Sequence, residues 1–344
     1  MESDLTKLIE CANVPFRKPY DVKKFLESLD NKKNPLYRII AWLVSLRIVK
    51  VRDIPNSVSQ LVQKYKKLAE TKLSDFDHPT SSLSQTDAEI ITIDTERTIH
   101  WFKQLSNECG FVNSNLEERK TSIQRILSIL SLCDPFYTYL QGFDRYAFAT
   151  FLLGLQAADE LKTDSFFAEA MSFYLTGGLL KIVDVNKFYT NKKLMNDHFH
   201  TLDQKIALAR PEIYYRLLEM NCTSIHYALK WELISFADDH SYDDILLIWD
   251  NIIVNQKKYI SYIMELCTAH IRQIKLADNV FPIESVLHNK EWNTNEILIY
   301  SRGKLKQEYQ KKNIIIFCIF HVTSCHFNWK ILLFTEQMKL LLFI

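Results

Sequence analysis

Apolar residues recur at intervals of three and four along most of the chain, which is the spacing of one face of an α-helix. The polar residues between them fall on the opposite face of each predicted helix. This pattern predicts an all-α fold. The predicted helices cover Leu36–Leu46, Val58–Leu68, Ile90–Leu105, Leu116–Leu132, Phe143–Leu155, Phe166–Leu175, Ile213–Leu218, Ile225–Phe236 and Ile245–Ile253.

Local signals mark where several of these helices begin or end. Pro55 is placed where a proline favours a helix start, and Ser241 with Asp244 has the spacing of a capping box. The segment Leu73–Asp87 is rich in Ser, Thr and Asp and predicts a surface loop. The dipeptide Asp134-Pro135 predicts a break between two helices.

The ends of the chain differ from its middle. Residues 1–34 contain short amphipathic pieces and predict a helical lead-in, and residues 278–344 predict a helical extension followed by an atypical tail. In that extension, Pro282–Leu287 and Glu296–Tyr309 are candidate helices. From Ile314 the tail mixes β-branched and aromatic residues without a clear period, and its role stays open.

Composition supports one large helical domain. The chain has 344 residues with only 6 Gly and 8 Pro, and no repeat of fixed period was found. The few glycines form neither a P-loop nor a GxGxxG motif, which argues against nucleotide binding by the chain itself. A formal net charge of +1 argues against nucleic acid as a partner.

Neither a metal site nor a transmembrane span is expected. The 7 cysteines are scattered without metal-finger spacing and are interpreted as reduced thiols of a cytoplasmic protein. His198-x-His200 lacks a third ligand at suitable spacing. Asn313–Trp329 is the most apolar stretch, but it is short and interrupted by polar residues.

Three short patterns occur in order along the chain. They are Arg38-x-x-x-Trp42, then Ile91-x-x-Asp94-x-x-Arg97, then Tyr139-x-Gln141-Gly142. Tyr-x-Gln alone carries little information, because a two-residue pattern arises by chance about once in a chain of this length. The order and spacing of the three patterns, followed by Trp231–Phe236 and the run DDILLIWDNII, form a specific combination.

In these motifs, over about Leu36–Ile271, the sequence resembles the TBC domain family of Rab GTPase-activating proteins. The resemblance implies a single multi-helix TBC-like domain at residues 35–277. It also implies that Arg97 is a catalytic arginine finger and Gln141 a glutamine finger, with Asp94 and Tyr139 in support. The implied partner is a GTP-bound Rab-type small GTPase, which brings its own GTP and Mg²⁺, so no cofactor is expected for this chain.

The residue types suit these roles. Asp94 and Arg97 lie at i and i+3 of a predicted helix, so the carboxylate could hold the guanidinium in a preset rotamer. Gly142 would let the backbone approach a partner closely. Arg38 and Trp42 are interpreted as structural, with the arginine over an aromatic ring or in a buried ion pair.

The sequence departs from the family after Gln141. The family commonly has Gly-Met followed by Asn or Ser, whereas this chain has Gly142-Phe143-Asp144. Phenylalanine for methionine is a core substitution that repacking accommodates. An unpaired Asp144 would oppose a triphosphate, but a base such as Arg145 would neutralise it.

The resemblance therefore implies a Rab GTPase-activating protein in the cytoplasm, with peripheral recruitment to endomembranes through its partner. Two alternatives stay open: a catalytically weak module that binds a small GTPase as a scaffold, and a helical adaptor with no GTPase partner. Trp231, Trp249 and Phe236 are interpreted as core residues because large aromatics at helical spacing usually pack.

Overall fold

The structure, a computed structural model, describes residues 2–111, 115–133, 139–183, 191–275 and 292–307. This part of the chain is helical throughout, with no β-strand, and the all-α fold is confirmed. Its 14 α-helices are α1 (Glu2–Cys11), α2 (Pro19–Glu27), α3 (Pro35–Ser45), α4 (Ile54–Lys72), α5 (Gln85–Glu108), α6 (Leu116–Cys133), α7 (Phe143–Leu161), α8 (Ser165–Val183), α9 (Lys192–Ala209), α10 (Pro211–Glu219), α11 (Ser224–Leu233), α12 (Tyr242–Val254), α13 (Tyr259–Arg272) and α14 (294–307).

The helix starts follow the local sequence. Proline occupies one of the first two positions of α2, α3, α4 and α10, where its missing N–H is no loss. The prediction of a capping box at the start of α12 is wrong in detail. Ser241 does precede the helix, but its hydroxyl donates to the Asp244 carboxylate at 2.9 Å and caps no backbone N–H.

The antiparallel pair α7 and α8 forms the centre of the fold, and α3, α4, α5 and α6 pack around it. A glycine lets the two central helices come close together. A Cβ at Gly154 would lie 2.8 Å from the Ala168 Cα, so any larger residue would push α7 and α8 apart. Between the helices, Thr150 Oγ1 lies within hydrogen-bond distance of the Ser172 and Thr176 hydroxyls.

Within the described ranges, α8 is the helix long and apolar enough to cross a membrane, as judged from length and composition alone. In this fold 67% of its apolar stretch is buried inside the protein. It packs along α7 and contacts α4 and α6. A largely buried, uniformly apolar helix is typical of the core of a large helical domain.

A buried ionic cluster fastens the N-terminal helices to α12. The carboxylate of Asp250 lies 2.8 Å from Lys33 Nζ and 3.4 Å from Arg38 Nε, and it accepts a 2.6 Å hydrogen bond from Trp42 Nε1. All four residues are buried. Arg38 therefore lies in a buried ion pair, one of the two structural roles expected for it.

The C-terminal helices close over an aromatic and histidine cluster. The ring of His270 on α13 stacks on Phe236 with centroids 4.2 Å apart, and its Nε2 lies 2.9 Å from His240 Nε2. His240 Nδ1 in turn lies 3.1 Å from the hydroxyl of Thr294 at the start of α14. Trp231, Trp249 and Phe236 are buried, as expected for core residues.

Two helices, α9 and α13, were not expected from the apolar pattern. In α9 the buried face consists of His198, Phe199, Leu202 and Ile206, so a histidine interrupts the apolar stripe. In α13 the buried residues include the polar Glu265, Thr268 and His270, which interrupt the apolar stripe in the same way. Polar residues within the buried face of a helix obscure the apolar spacing that predicts it.

Several expectations lie outside the described residues. They are the break at Asp134-Pro135, the candidate helix Pro282–Leu287 and the tail from Ile314. Of the candidate helix Glu296–Tyr309, the part up to residue 307 belongs to α14. The division at residues 34 and 277 stays a prediction.

Candidate functional site

The two motifs that carry the predicted site residues are in direct contact. Asp94 lies on α5, and Tyr139 lies in the turn that leads into α7. The Tyr139 hydroxyl donates a 3.0 Å hydrogen bond to Asp94 Oδ2, and both residues are buried. This bond joins α5 to the turn that carries Gln141.

Arg97 lies on the exposed side of α5. Within the described residues, no hydrogen bond or ion pair joins its guanidinium to another side chain. The hypothesis that Asp94 holds Arg97 in a preset rotamer is therefore wrong. The Asp94 carboxylate points inward to Tyr139, and Arg97 is left facing solvent.

Gln141 is also exposed, in the turn that precedes α7. Its side-chain amide forms no hydrogen bond with any residue that the structure describes. Arg97 and Gln141 thus share an arrangement: a buried neighbour fixes the backbone near each, while the polar group itself faces solvent. Such groups are available to another molecule.

Gly142 has a reason within the fold for being glycine. Its φ is +100°, a left-handed conformation that side chains disfavour, and a Cβ there would lie 2.8 Å from Ile234 Cγ2. This explains the residue by the turn and by the packing of Ile234. The expected approach of a partner to this backbone stays a prediction.

Phe143 stands where the family commonly has methionine. The side chain is buried and meets the Tyr139 ring edge to face, with centroids 5.9 Å apart. Edge-to-face pairs of this kind add to the stability of a core. The substitution thus supports the tyrosine that bonds to Asp94.

Asp144 is buried and paired. Only 1% of its surface is exposed, and Oδ2 lies 3.2 Å from Arg145 Nη1. Burial raises the pKa of this carboxyl, while Arg145 and a hydrogen bond from Thr98 act in the opposite direction. Asp144 is therefore covered and paired with Arg145, but burial outweighs this pairing and the net pKa of the carboxyl is raised.

Arg145 also connects α7 to the loop after α11. Its Nε donates a 2.6 Å hydrogen bond to Asp238 Oδ1, and its guanidinium lies over the Trp101 ring at 5.0 Å from the centroid. It donates a further hydrogen bond to the hydroxyl of Thr98, the residue after Arg97. Asp238 also pairs with Lys230 at 2.9 Å.

The charges in this connection stabilise one another. Burial raises the pKa of Asp238, but Arg145 and Lys230 outweigh it and the net pKa is lowered. Sequence reasoning named Arg145 only as a partner of Asp144. The role of Asp238 was not visible, because 93 residues separate it from Arg145 and only the fold brings them together.

No group of three or more His, Cys, Asp or Glu suited to a metal ion occurs in the described ranges. His198, part of the pattern considered as a metal ligand, has its Nε2 2.8 Å from both carboxylate oxygens of Glu232. Both residues are buried. The pair ties α9 to α11.

The fold has a known relative. It matches a solved structure described as the crystal structure of the Ypt/Rab-GAP domain of Gyp1p, with a TM-score of 0.61 over 90% of this chain and 99% of that one. Sequence identity is 12%, so this likeness concerns the fold. None of the curated protein sequences compared with the chain matches it.

The family follows from the sequence match. The model of the Rab-GTPase-TBC domain matches residues 36–276, most of the chain, and the chain belongs to this family. The resemblance drawn from the three motifs is confirmed. Membership implies GTPase activation and a Rab GTPase as partner. The roles of individual residues stay predictions.

Proposed function

We propose that this protein activates GTP hydrolysis by a GTP-bound Rab-family GTPase, with Arg97 and Gln141 inserted in trans. One observation carries the proposal. Both side chains are exposed and lack partners among the described residues, yet the elements beneath them are joined by the buried Tyr139–Asp94 hydrogen bond. The chain thus offers two free polar groups on a fixed frame.

Arg97 suits the charge that develops during hydrolysis. Negative charge on the transferring phosphoryl group increases toward the transition state, and a guanidinium presents several N–H donors in one plane. An arginine supplied in trans accelerates GTP hydrolysis by about 10³- to 10⁵-fold in known cases. No carboxylate in the described part of the chain pairs with Arg97, so its charge is available to the nucleotide.

Gln141 suits the attacking water. A neutral amide has both a donor and an acceptor, so it can orient a water molecule without adding negative charge beside the phosphates. Because Gly142 sets the turn and Tyr139 anchors it, the position of the Gln141 backbone is defined before a partner arrives. Asp94 and Tyr139 act here as positioning residues.

The location of the activity follows from the partner. We propose that the protein works in the cytoplasm and reaches endomembranes by binding a membrane-attached Rab. The chain contributes no nucleotide and no metal of its own to this reaction, since GTP and Mg²⁺ arrive with the GTPase.

The test is single-turnover hydrolysis across a panel of purified, GTP-loaded Rab proteins. Wild-type protein should accelerate hydrolysis on one or a few Rabs, and Arg97→Ala and Gln141→Ala should each lose most of that acceleration. Binding of the same Rabs should persist in both variants. Arg97→Lys should stay slow, because an ammonium lacks the planar set of donors.

Matched controls are available on the same fold. Arg52 and Gln63 are exposed residues of the same types on other elements, so Arg52→Ala and Gln63→Ala should retain full acceleration. Rab binding without acceleration by wild-type protein would favour the scaffold alternative. Absence of nucleotide-dependent binding to any Rab would favour the adaptor.

A further inference from the structure

The helix that carries Arg97 also exposes two large aliphatic side chains. Ile90 and Ile93 on α5 are 37% and 45% exposed, although most large aliphatic residues of the fold are buried. A polar residue at either position would be expected on the solvent face of a helix. Other large aliphatic residues are also exposed, and this pair is distinguished by lying on the helix that carries Arg97.

The two isoleucines lie on the same stripe as Arg97. Ile90, Ile93 and Arg97 are spaced i, i+3 and i+7, so they fall within about 60° of one another around the helix axis. At 1.5 Å per residue, Ile93 is about 6 Å and Ile90 about 10 Å from Arg97 along the axis. We call this set the α5 stripe.

The surface beside the stripe is shallow and open. It is formed by Ala88, Glu89, Thr92 and Ile93, all of them on α5. Glu89 and Glu96, both exposed, flank the stripe on one side. The surface thus offers an apolar centre with an acidic edge.

The area of a typical protein interface indicates that a GTPase bound at Arg97 also covers the α5 stripe. A stable protein complex buries about 800 Å² on each partner, which corresponds to a disc about 16 Å in radius. A GTPase that brings its γ-phosphate to Arg97 centres such a disc close to that residue. Ile93 and Ile90 then lie inside the covered area.

We infer that Ile90 and Ile93 form an apolar docking contact for the GTP-loaded GTPase, whose matching surface is apolar with a basic rim facing Glu89 and Glu96. This inference rests on the proposed function, because Arg97 places the GTPase over the stripe. It assigns the two isoleucines to binding, and leaves catalysis to Arg97 and Gln141.

The test measures KM and kcat of stimulated GTP hydrolysis separately, with the Rab that the panel identifies as the substrate. Ile90→Ala and Ile93→Ala should each raise KM by about fivefold, and Ile93→Asp by about fiftyfold, because a charge would be buried at the contact. The kcat of all three should stay within about twofold of wild type. The full-length chain is used throughout.

Ile260 supplies the matched control. It lies on α13 and is 45% exposed, the same fraction as Ile93, so Ile260→Asp adds the same charge to an equally exposed site. This variant should keep the wild-type KM. Thermal melting of both Asp variants checks that neither effect comes from unfolding.

The role of the acidic edge, Glu89 and Glu96, is tested by the rate of association with the Rab. Glu89→Lys should slow association with the GTP-loaded Rab at low salt, and the difference from wild type should shrink at high salt. An association rate unchanged at low salt would overturn the assignment of a basic rim to the partner.

Measuring both Rab binding and hydrolysis rate for Arg97→Ala and for Ile93→Asp separates this inference from the proposed function. If Arg97→Ala keeps its rate but Ile93→Asp still weakens binding, the finger assignment fails and the docking contact stands. If Ile93→Asp leaves KM and affinity unchanged while Arg97→Ala is inactive, the docking contact is overturned alone.

Other occupants of the stripe are also detectable. If Ile93→Asp changes the sedimentation of the protein by itself and leaves Rab affinity unchanged, the stripe is a contact between copies of this chain and the inference is overturned. A panel in which no Rab binds overturns both proposals.

Discussion

Arg38 and Arg97 both belong to short motifs of the same family, yet they have opposite surroundings. Arg38 is buried beside Asp250, Lys33 and Trp42, where every charge has a partner. Arg97 is exposed and has no ion pair among the described residues. A paired, buried arginine holds a fold together, whereas an unpaired, exposed one is free to act on another molecule.

The largest expected effect is the loss of stimulated GTP hydrolysis in Arg97→Ala. Arg97→Ala should lower the stimulated rate of GTP hydrolysis by about 10³-fold or more, because the charge that stabilises the transition state is lost. The free energy of unfolding should change by less than about 0.5 kcal/mol, as for other exposed substitutions. Stopped-flow hydrolysis and urea denaturation measure the two quantities. A large loss of stability would contradict the contrast with Arg38.

The Asp250 cluster should show the reverse pattern. Asp250→Asn leaves Lys33 and Arg38 buried without a counter-charge, which should destabilise the fold by about 3–5 kcal/mol. Urea denaturation measures this loss. Asp159→Asn, at an exposed position of α7, is the matched control and should change stability little. Equal effects of the two variants would show that the cluster contributes no more than a surface charge.

A third effect concerns buried histidines and pH. Burial lowers the pKa of His270 to about 4. The pKa of His240 is lowered well below its ordinary value, mainly by burial and to a lesser degree by repulsion from His270. Both imidazoles therefore stay neutral in the folded protein while the unfolded chain takes up protons below about pH 6.5. The stabilisation is present above that pH and is lost as pH falls toward 4.

From this shift, His270 alone should cost about 2 kcal/mol of stability between pH 7 and pH 5. His270→Gln should flatten the pH dependence of the free energy of unfolding over this range, measured by urea denaturation at several pH values. His100→Gln, at an exposed histidine of α5, should change the slope far less. A slope that His270→Gln does not alter would contradict a buried neutral imidazole.

The smallest effect is expected for the hydrogen bond between Tyr139 and Asp94, which is buried but lies beside the exposed site residues. Tyr139→Phe removes the hydroxyl that donates to the buried Asp94 carboxylate, which should lower stability by about 1–2 kcal/mol. The stimulated kcat should fall by about tenfold, because the turn that carries Gln141 is held less firmly. If stability falls and kcat is unchanged, the bond belongs to the fold alone.

Much of this arrangement could be read from the sequence. The amphipathic stretches located helices such as α3, α5 and α7, and the spaced motifs placed Arg97 and Gln141 as candidates. The pattern failed where polar residues lie within the buried face, as Glu265 and His270 do in α13 and His198 does in α9. The apolar spacing is read from residue type, so a buried polar residue breaks it.

The details of the site were beyond reach for a different reason. The direction of the Asp94 carboxylate depends on Tyr139, 45 residues further along the chain, so spacing within α5 could not reveal it. The balance of charge at Asp144 depends on Thr98 and Arg145, and that of Arg145 on Asp238. Long-range contacts of this kind are set by the packing of whole helices.

The Arg145 contacts described above also bear on the entropy of association. Because Arg145 bonds to Thr98 on α5 and to Asp238 after α11, the backbones beneath Arg97 and Gln141 are ordered before any encounter. In the complex proposed above, the conformational freedom that the site loses on binding is mainly that of its few exposed side chains, at about 0.5–1.5 kcal/mol each. Ordering of the backbone then subtracts little from the free energy of binding.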